Sequence, residues 1–311
     1  MKTTEGSNAK SRALDEMSTL DIVTLMNEED QTVPQAVKPC LPRIAHAADM
    51  IASRLQTGGR VFAAGAGTSG RLAVLDAAEL PPTFSLDEHQ WVGLIAGDYE
   101  AMWKPLEENE DDRETIISQL QARSFSKADV FVGVSASGLT PYVLSGLSYA
   151  KKLGAVSVSI SCNKETEAAK FSDIAIEAQT GPEVIRGSTR LKAGTAQKLI
   201  LNMLSTAAMV RLGHVYQNEM VNMKLLNQKL KNRAVDMLMN TTGISHDEAL
   251  QALKESRYNI KAAIFMVLTN GTLEDADRCL SHENGRLKHA IQYHRKGFSC
   301  CLVFFKISGA L

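Results

Sequence analysis

Five short apolar runs limit what this chain can fold into. They fall at residues 61–64, 92–96, 130–134, 156–161 and 174–178, separated by stretches with helical spacing at 72–78, 114–122, 141–153 and 166–171. Runs this short and this uniformly apolar read as strands buried on both faces. Strands alternating with helices need crossover connections, so the pattern predicts an α/β fold: a parallel sheet covered by helices. The flanks read differently. Residues 14–27 and 33–55 have helical spacing, the second stretch broken by Pro39 and Pro42. A long helix is expected over 193–212, with Leu199, Met203, Thr206 and Val210 as a core stripe, and another over 218–230. Short helices follow over 233–280, where Ser245 and Glu248 fit a capping box. The expected division is a helical N-terminal segment at 1–52, the α/β domain at 53–225, a small all-helical domain at 226–292 and an atypical tail at 293–311.

Ligands of parallel sheets sit beyond the carboxyl ends of the strands, so the loops leaving the strands are where function belongs. The first such loop is Gly65-Ala66-Gly67-Thr68-Ser69-Gly70. Strand, small-residue loop and helix together present backbone N–H groups and a helix N-terminus to an anion. Gly67 lets a ligand approach the backbone, and Thr68 and Ser69 add hydroxyl donors. The loop also matches the G-x-G-x-x-G of dinucleotide sites. That fingerprint wants an acid after the second strand; Asp87 and Glu88 precede the second run, and Asp98 lies too far on. Arg71 follows Gly70, so the phosphate-binding G-x-x-x-x-G-K pattern is absent. A plain strand-to-helix turn fits the same residues.

Two further clusters favour a ligand. Ser135-Ala136-Ser137-Gly138-Leu139-Thr140 leaves the third run and ends at Pro141, a helix-start signal. Gly187-Ser188-Thr189-Arg190-Leu191-Lys192 puts two cations just before the long helix. Three such clusters suit a small, hydroxyl-rich, anionic ligand. The helix after the first loop is expected to stop at Pro81-Pro82. That places Glu79 near its C-terminal end, where the helix dipole disfavours negative charge and suits a proton donor.

Composition excludes several classes. With 34 Lys+Arg against 35 Asp+Glu, the net charge of −1 leaves no nucleic-acid or membrane footprint. The five cysteines are scattered, with no C-x-x-C and no zinc spacing, as expected of reduced cytoplasmic thiols. His214 and the other histidines show no metal-ligand spacing. The N-terminus is polar, and the apolar 298–311 stretch carries Lys306 and is too short to span a bilayer. Cytoplasmic localisation follows as the expectation.

The stretches GAGTSGRLAVLDAAELPPTF (65–84), SASGLTPYV (135–143) and GSTRLKAGTAQKLILNMLST (187–206) resemble the N-acetylmuramic acid 6-phosphate etherases, as do TEGSN (4–8) and STLD (18–21). The resemblance runs from residue 4 to about residue 292. It implies a sugar isomerase-type (SIS) fold, a homodimer, and no metal or redox cofactor. The implied reaction cleaves the lactyl ether of N-acetylmuramic acid 6-phosphate, giving N-acetylglucosamine 6-phosphate and D-lactate in cell-wall sugar recycling. Glu79 matches the acid of the family motif D-A-S-E-x-P-P-T. Glu110 matches the second glutamate of V-E-G-A-E-D, here Leu106-Glu107-Glu108-Asn109-Glu110-Asp111, and the base role is expected there. On its residues alone Glu110 sits in an acidic run, 107–114, which reads as a solvated face. The expected sugar-phosphate contacts are Gly67, Thr68, Ser69, Ser135, Ser137, Thr140, Ser188 and Lys192. The chain departs from the family pattern at Leu139, where arginine is frequent, at Glu108-Asn109, at Ala78 and Leu80, and in the tail at 293–311.

Two carboxyls suit that chemistry. With the sugar open as an aldehyde, the C2 proton becomes acidic; one group removes it while another protonates the departing lactyl oxygen. Each role contributes roughly 10²–10⁴-fold. Two other readings stand beside this one. A non-catalytic SIS-type sugar-phosphate regulator would bind without turnover, although no DNA-binding motif or basic stripe accompanies it. A nicotinamide-dependent dehydrogenase rests only on the glycine pattern.

Overall fold

The structure, a computed structural model, describes residues 3–223, 225 and 227–307, with side chains for all of these except Glu107 and 298–307. Contacts divide it into two units: residues up to 81 with 87–208, and 82–86 with 209 onward.

In the first unit, 3-10 turns lead into α1 (Thr19–Asp30), α2 (Val33–Val37) and α3 (Leu41–Gln56). Pro39 and Pro42 divide the expected 33–55 helix, with a 3-10 turn at Lys38–Cys40 between its halves. Then come β1 (Val61–Gly65), α4 (Gly67–Phe84), β2 (Trp91–Ile95), α5 (Thr115–Ala122), β3 (Val130–Val134), α6 (Pro141–Leu153), β4 (Val156–Ser161), α7 (Glu167–Lys170), β5 (Ile174–Glu177) and α8 (Lys192–Arg211). The five strands form one parallel sheet in the order β2-β1-β3-β4-β5. All five expected strands are present, their ends within one residue. Every residue of β1, β3 and β4 is buried, which is why these runs are continuously apolar or carry only small serines.

One face of the sheet packs on a cluster that includes Phe62, Phe131, Ile116, Leu120, Tyr142 and Leu147. Burying each such side chain stabilises the fold by roughly 1.5–3 kcal/mol. Helix α6 lies close enough on β3 that a Cβ on Gly146 would run into the Phe131 ring. Tyr142 is fully buried, and its hydroxyl donates to Gln119 Oε1.

Three expectations fail here. The stripe Leu199, Met203, Thr206 and Val210 is not core: Thr206 and Val210 are exposed and Leu199 and Met203 half-buried, while Ile200, Leu201, Leu204 and Ala208 take the buried face of α8. Helix α4 does not stop at Pro81-Pro82 but continues to Phe84, and Ser85, at φ 55°, ends it. Proline's fixed φ is itself helical, so the backbone can run on, but the two missing N–H groups leave the carbonyls of Ala77 and Ala78 without their intrahelical donors. The expected helix over 218–230 is a hairpin of β6 (Val215–Tyr216) and β7 (Glu219–Met220), and helix resumes only at Gln228. Gln217 adopts φ 55°, as a tight turn requires.

The second unit adds α9 (Gln228–Thr242), α10 (His246–Glu255), α11 (Ile260–Thr269), α12 (Leu273–His282) and α13 (Leu287–Ile307). Asn227, Ser245, Asn259 and Thr272 cap α9–α12 in turn, and the Ser245–Glu248 capping box forms as expected. Leu238, Leu253, Ile264, Phe265 and Leu280 are among the side chains of its core. Burial, then the charge of Lys261, push His214 down to about 4, so its imidazole is neutral at physiological pH. It is a structural histidine, bonded through Nδ1 to Phe84 O and Asn222. No described helix is long and apolar enough to cross a membrane.

Candidate active site

The parallel register brings Gly65, Ile95 and Val134 to the same level, so the loops after β1, β2 and β3 leave one edge side by side. The first loop is shorter than its sequence implies, because Gly67, Thr68, Ser69 and Gly70 form the first turn of α4. A Cβ on Gly70 would lie 2.5 Å from Gly65 O, and one on Gly65 would lie 2.7 Å from Gly70 N; these two glycines let helix sit on strand. Gly67 differs. Its φ is +51°, and nothing lies within 4 Å of where its Cβ would be. The first-turn N–H groups of a helix have no intrahelical partner, so this open terminus is an anion site in form.

The second loop is organised around Ser135. Its buried Oγ lies 2.8 Å from Thr140 Oγ1 and 3.3 Å from Ser137 Oγ, and it accepts from Gly138 N at 3.0 Å. Thr140 is the N-cap of α6 but makes no side-chain cap, because its hydroxyl is turned to Ser135. The first N–H groups of α6 are therefore not capped by that side chain. Ser137 and Thr140 remain partly exposed, and Leu139 points outward.

The third cluster is built from inside. Lys192 is the first residue of α8 and is buried; its Nζ lies 2.6 Å from Glu29 Oε2. Its backbone N, with that of Ala193, donates to the two oxygens of the buried Glu183 carboxylate, at 3.0 and 2.9 Å. Burial pushes Glu183 up, against the pull of those N–H groups and of the Lys192 charge. The cation expected beside the ligand is thus engaged by Glu29, and the helix terminus behind it by Glu183. Ser188 stays half-exposed.

Glu29 anchors more than Lys192. It accepts from Asn8 Nδ2 at 2.9 Å and pairs with Lys10 at 3.0 Å. Burial disfavours its charge, but bonds and charges from Lys192 and Lys10 outweigh this and hold its carboxyl below the usual value. Asn163, just past β4, fastens the chain on the other side: it bonds Thr3 and Thr4 and donates to Ala136 O within the second loop. Arg186 donates to Glu5 O at 3.0 Å. The TEGSN stretch is therefore strapped across the second and third clusters.

Helix α4 joins the loops to Glu79. Its buried face carries Ser69, Ala73, Asp76, Ala77 and Leu80, and its exposed face carries Leu75, Ala78 and Glu79. Ser69 Oγ donates to Gln197 Oε1 at 3.0 Å, and Asp76 Oδ1 accepts from Asn202 and Ser205 of α8. Burial raises the Asp76 carboxyl above its usual value. Glu79 lies about 18 Å along the helix from Gly67. Since α4 runs on to Phe84, Glu79 is outside the last turn, and the dipole argument read from the sequence does not apply to it. Glu110 is exposed, in the 3-10 turn Glu107–Asp111 that follows β2. Arg71 of α4 steadies that connection by donating to Met102 O and Lys104 O.

Within the chain, then, Gly67, Thr68, Ser69, Ser135, Ser137 and Thr140 gather on adjoining loops at the edge, where the Glu110 segment also begins. Lys192 faces inward, and Glu79 stands on the outer face of α4. Glu29, Asp76, Asn163, Glu183 and Gln197 were not singled out in the sequence. Asp76 did leave a signal, as a charge within an otherwise apolar helical stripe. No group of three or more His, Cys, Asp or Glu placed to hold a metal occurs among the described residues.

Comparison with known proteins is specific. The glucokinase regulatory protein N-terminal SIS domain family matches residues 43–151, and the SIS domain family matches 113–207. N-acetylmuramic acid 6-phosphate etherase 2 of Bacillus licheniformis is 77% identical over 298 residues, covering 96% of this chain and 100% of that protein. The etherase of Clostridium beijerinckii is 46% identical, covering 93% of this chain and 95% of its own length. That of Vibrio campbellii is 47% identical, covering 94% of both. The chain belongs to the N-acetylmuramic acid 6-phosphate etherase family.

Proposed function

We propose that this protein cleaves the D-lactyl ether of N-acetylmuramic acid 6-phosphate, giving N-acetylglucosamine 6-phosphate and D-lactate in cell-wall amino-sugar recycling. The observation that carries this reading is the 77% identity to an etherase along that protein's full length. The edge loops suit the substrate. The open N-terminus of α4, with Thr68 and Ser69, takes the phosphate, while Ser137 and Thr140 beside α6 and Ser188 bond phosphate oxygens or sugar hydroxyls. Lys192 acts indirectly, by holding the N-terminal strap through Glu29.

Glu110, as carboxylate, removes the C2 proton of the open-chain aldehyde. The C2–H electron pair forms the C2–C3 double bond as the C3–O bond breaks, and Glu79, as carboxylic acid, gives its proton to the leaving lactyl oxygen. Glu110, now protonated, and Glu79, now ionised, are restored when water adds across the double bond: hydroxide to C3, proton to C2. This is paired acid–base catalysis by residues of this chain.

The exposed place of Glu79 fits a homodimer. Leu75, one turn before it, is 53% exposed, and Leu41, Ile44, Leu199 and Met203 line an apolar groove between α3 and α8. An apolar surface of this kind marks an interface. In a homodimer the Glu79 face can serve a loop cluster other than its own. The cytoplasm is the proposed location.

The test is direct. Purified protein with N-acetylmuramic acid 6-phosphate and no added cofactor is expected to release D-lactate, and Glu79→Gln and Glu110→Gln to lower kcat by roughly 10²–10⁴-fold with melting temperature retained. Unchanged turnover in either variant removes that residue from the mechanism; tight sugar-phosphate binding without lactate returns the regulator reading.

A further inference from the structure

We propose that Gln197 is a positioning residue for the phosphate subsite, one that sets the direction of the Ser69 hydroxyl by turning its own side-chain amide over. The inference rests on the sugar-phosphate reading above. Gln197 lies early in α8 and is 1% exposed. Its amide meets the first loop at one point, where Ser69 Oγ donates to Oε1 at 3.0 Å. The other end, Nε2, is buried and has no hydrogen-bond partner among the described residues. A buried amide donor left unpaired is unfavourable, and native structures seldom keep one without a reason.

The reason lies in proton counting. A serine hydroxyl has one proton and two acceptor lone pairs. While the Ser69 proton points at Oε1, it is withheld from any anion at the start of α4. Rotating the Gln197 amide by half a turn exchanges its oxygen and nitrogen. Nε2–H then donates to Ser69 Oγ, and the Ser69 proton is free to turn toward the first turn of α4, beside Gly67. A phosphate there supplies the acceptor and draws the chain N–H to O–H to phosphate into one polarised row. The rotation moves Oε1 into the unpartnered position, where an under-satisfied acceptor is better tolerated than an orphaned N–H, and the anion biases the amide toward this orientation by accepting the Ser69 proton. Only an amide can do this: it carries an acceptor and a donor on one planar group of fixed shape.

Gln197→Glu keeps the shape and, once ionised, only accepts, which fixes the Ser69 proton inward; the titrations are run from about pH 6 to 9, because burial raises a carboxyl at this position and its neutral form can still donate. KM for the sugar phosphate and the calorimetric Kd for inorganic phosphate should both rise roughly tenfold or more, with kcat within about twofold of wild type. Gln197→Met removes both amide groups and leaves the Ser69 proton free, so its rise should be smaller than that of Gln197→Glu. In a Ser69→Ala background, Gln197→Glu should add little, because the hydroxyl it controls is gone. The proposal is overturned if phosphate binds Gln197→Glu as it binds wild type, if Gln197→Met is as impaired as Gln197→Glu, or if the Ser69 and Gln197 effects multiply. The phosphate titration needs no turnover. A protein that binds phosphate but releases no lactate therefore disposes of the etherase reading while still testing Gln197.

Discussion

Two helices begin behind loops that each carry Gly, Ser and Thr, and the chain treats them in opposite ways. Helix α4 opens from Gly-Ala-Gly-Thr-Ser-Gly, with Gly67 at positive φ and open space around it. Helix α8 opens from Gly-Ser-Thr-Arg-Leu-Lys, and the carboxylate of Glu183 already sits on its first N–H groups. Both termini attract anions for the same physical reason. One is left open at Gly67 and the other is filled from within. Motif composition identifies an anion-seeking terminus, but a residue outside the motif decides whether it is free.

That contrast can be broken at either end. The largest effect is expected from Lys192→Met, which leaves Glu29 buried with one fewer cation; chemical unfolding should show a loss of roughly 3 kcal/mol. Retained stability would mean that Lys10 and Asn8 suffice to hold Glu29. Next, Glu183→Ala uncovers the α8 terminus, and urea midpoints should fall by the equivalent of about 1–3 kcal/mol. Added phosphate should then recover part of the loss, since the vacated N–H groups would accept it. Gly67→Ala acts on the open terminus. It should cost about 1–2 kcal/mol for a side chain at positive φ and raise KM for the sugar phosphate while sparing kcat. An unchanged KM would argue that no anion comes to α4.

The smallest effect is the dependence on acid. Glu29 is held below its ordinary value of 4.5, so it contributes stability that is complete above that value and lost as the pH falls through its lowered folded pKa. Glu29→Gln should flatten this acid limb in unfolding curves measured across that range. A limb of unchanged slope in the variant would assign the acid sensitivity elsewhere.

The sheet was legible because its signal is local. Each strand is a short, wholly buried run, and burial on both faces leaves little choice of residue. The hairpin at Val215–Met220 was missed for the converse reason, since two-residue strands are too short to show alternation. The end of α4 was misjudged because proline's missing N–H and ring crowding usually stop a helix, yet its fixed φ is itself helical and the chain runs on through both prolines. In the site, the hydroxyl loops declared themselves through composition. What settles them is distant in sequence: Lys192 meets Glu29 across 163 positions, and Ser69 meets Gln197 across 128. No window along the chain contains both members of such a pair. Glu110 was reachable only through family resemblance, because an exposed glutamate in an acidic run carries no signal of its own.

The strap at the N-terminus has a consequence for the order in which the molecule is made. Thr4 leaves the ribosome long before Asn163, its fixed point just past β4, and Glu29, which holds Asn8, leaves long before Lys192 of α8. Chains emerge at roughly 5–20 residues per second, so this segment waits on the order of ten seconds or more for its berth. Until then Asn8 and Lys10 have only Glu29 of α1 to bond, and Thr4 lacks its berth. Its locking down marks completion of the first unit's edge, which makes protection of the Thr4 amide a natural clock for the end of folding.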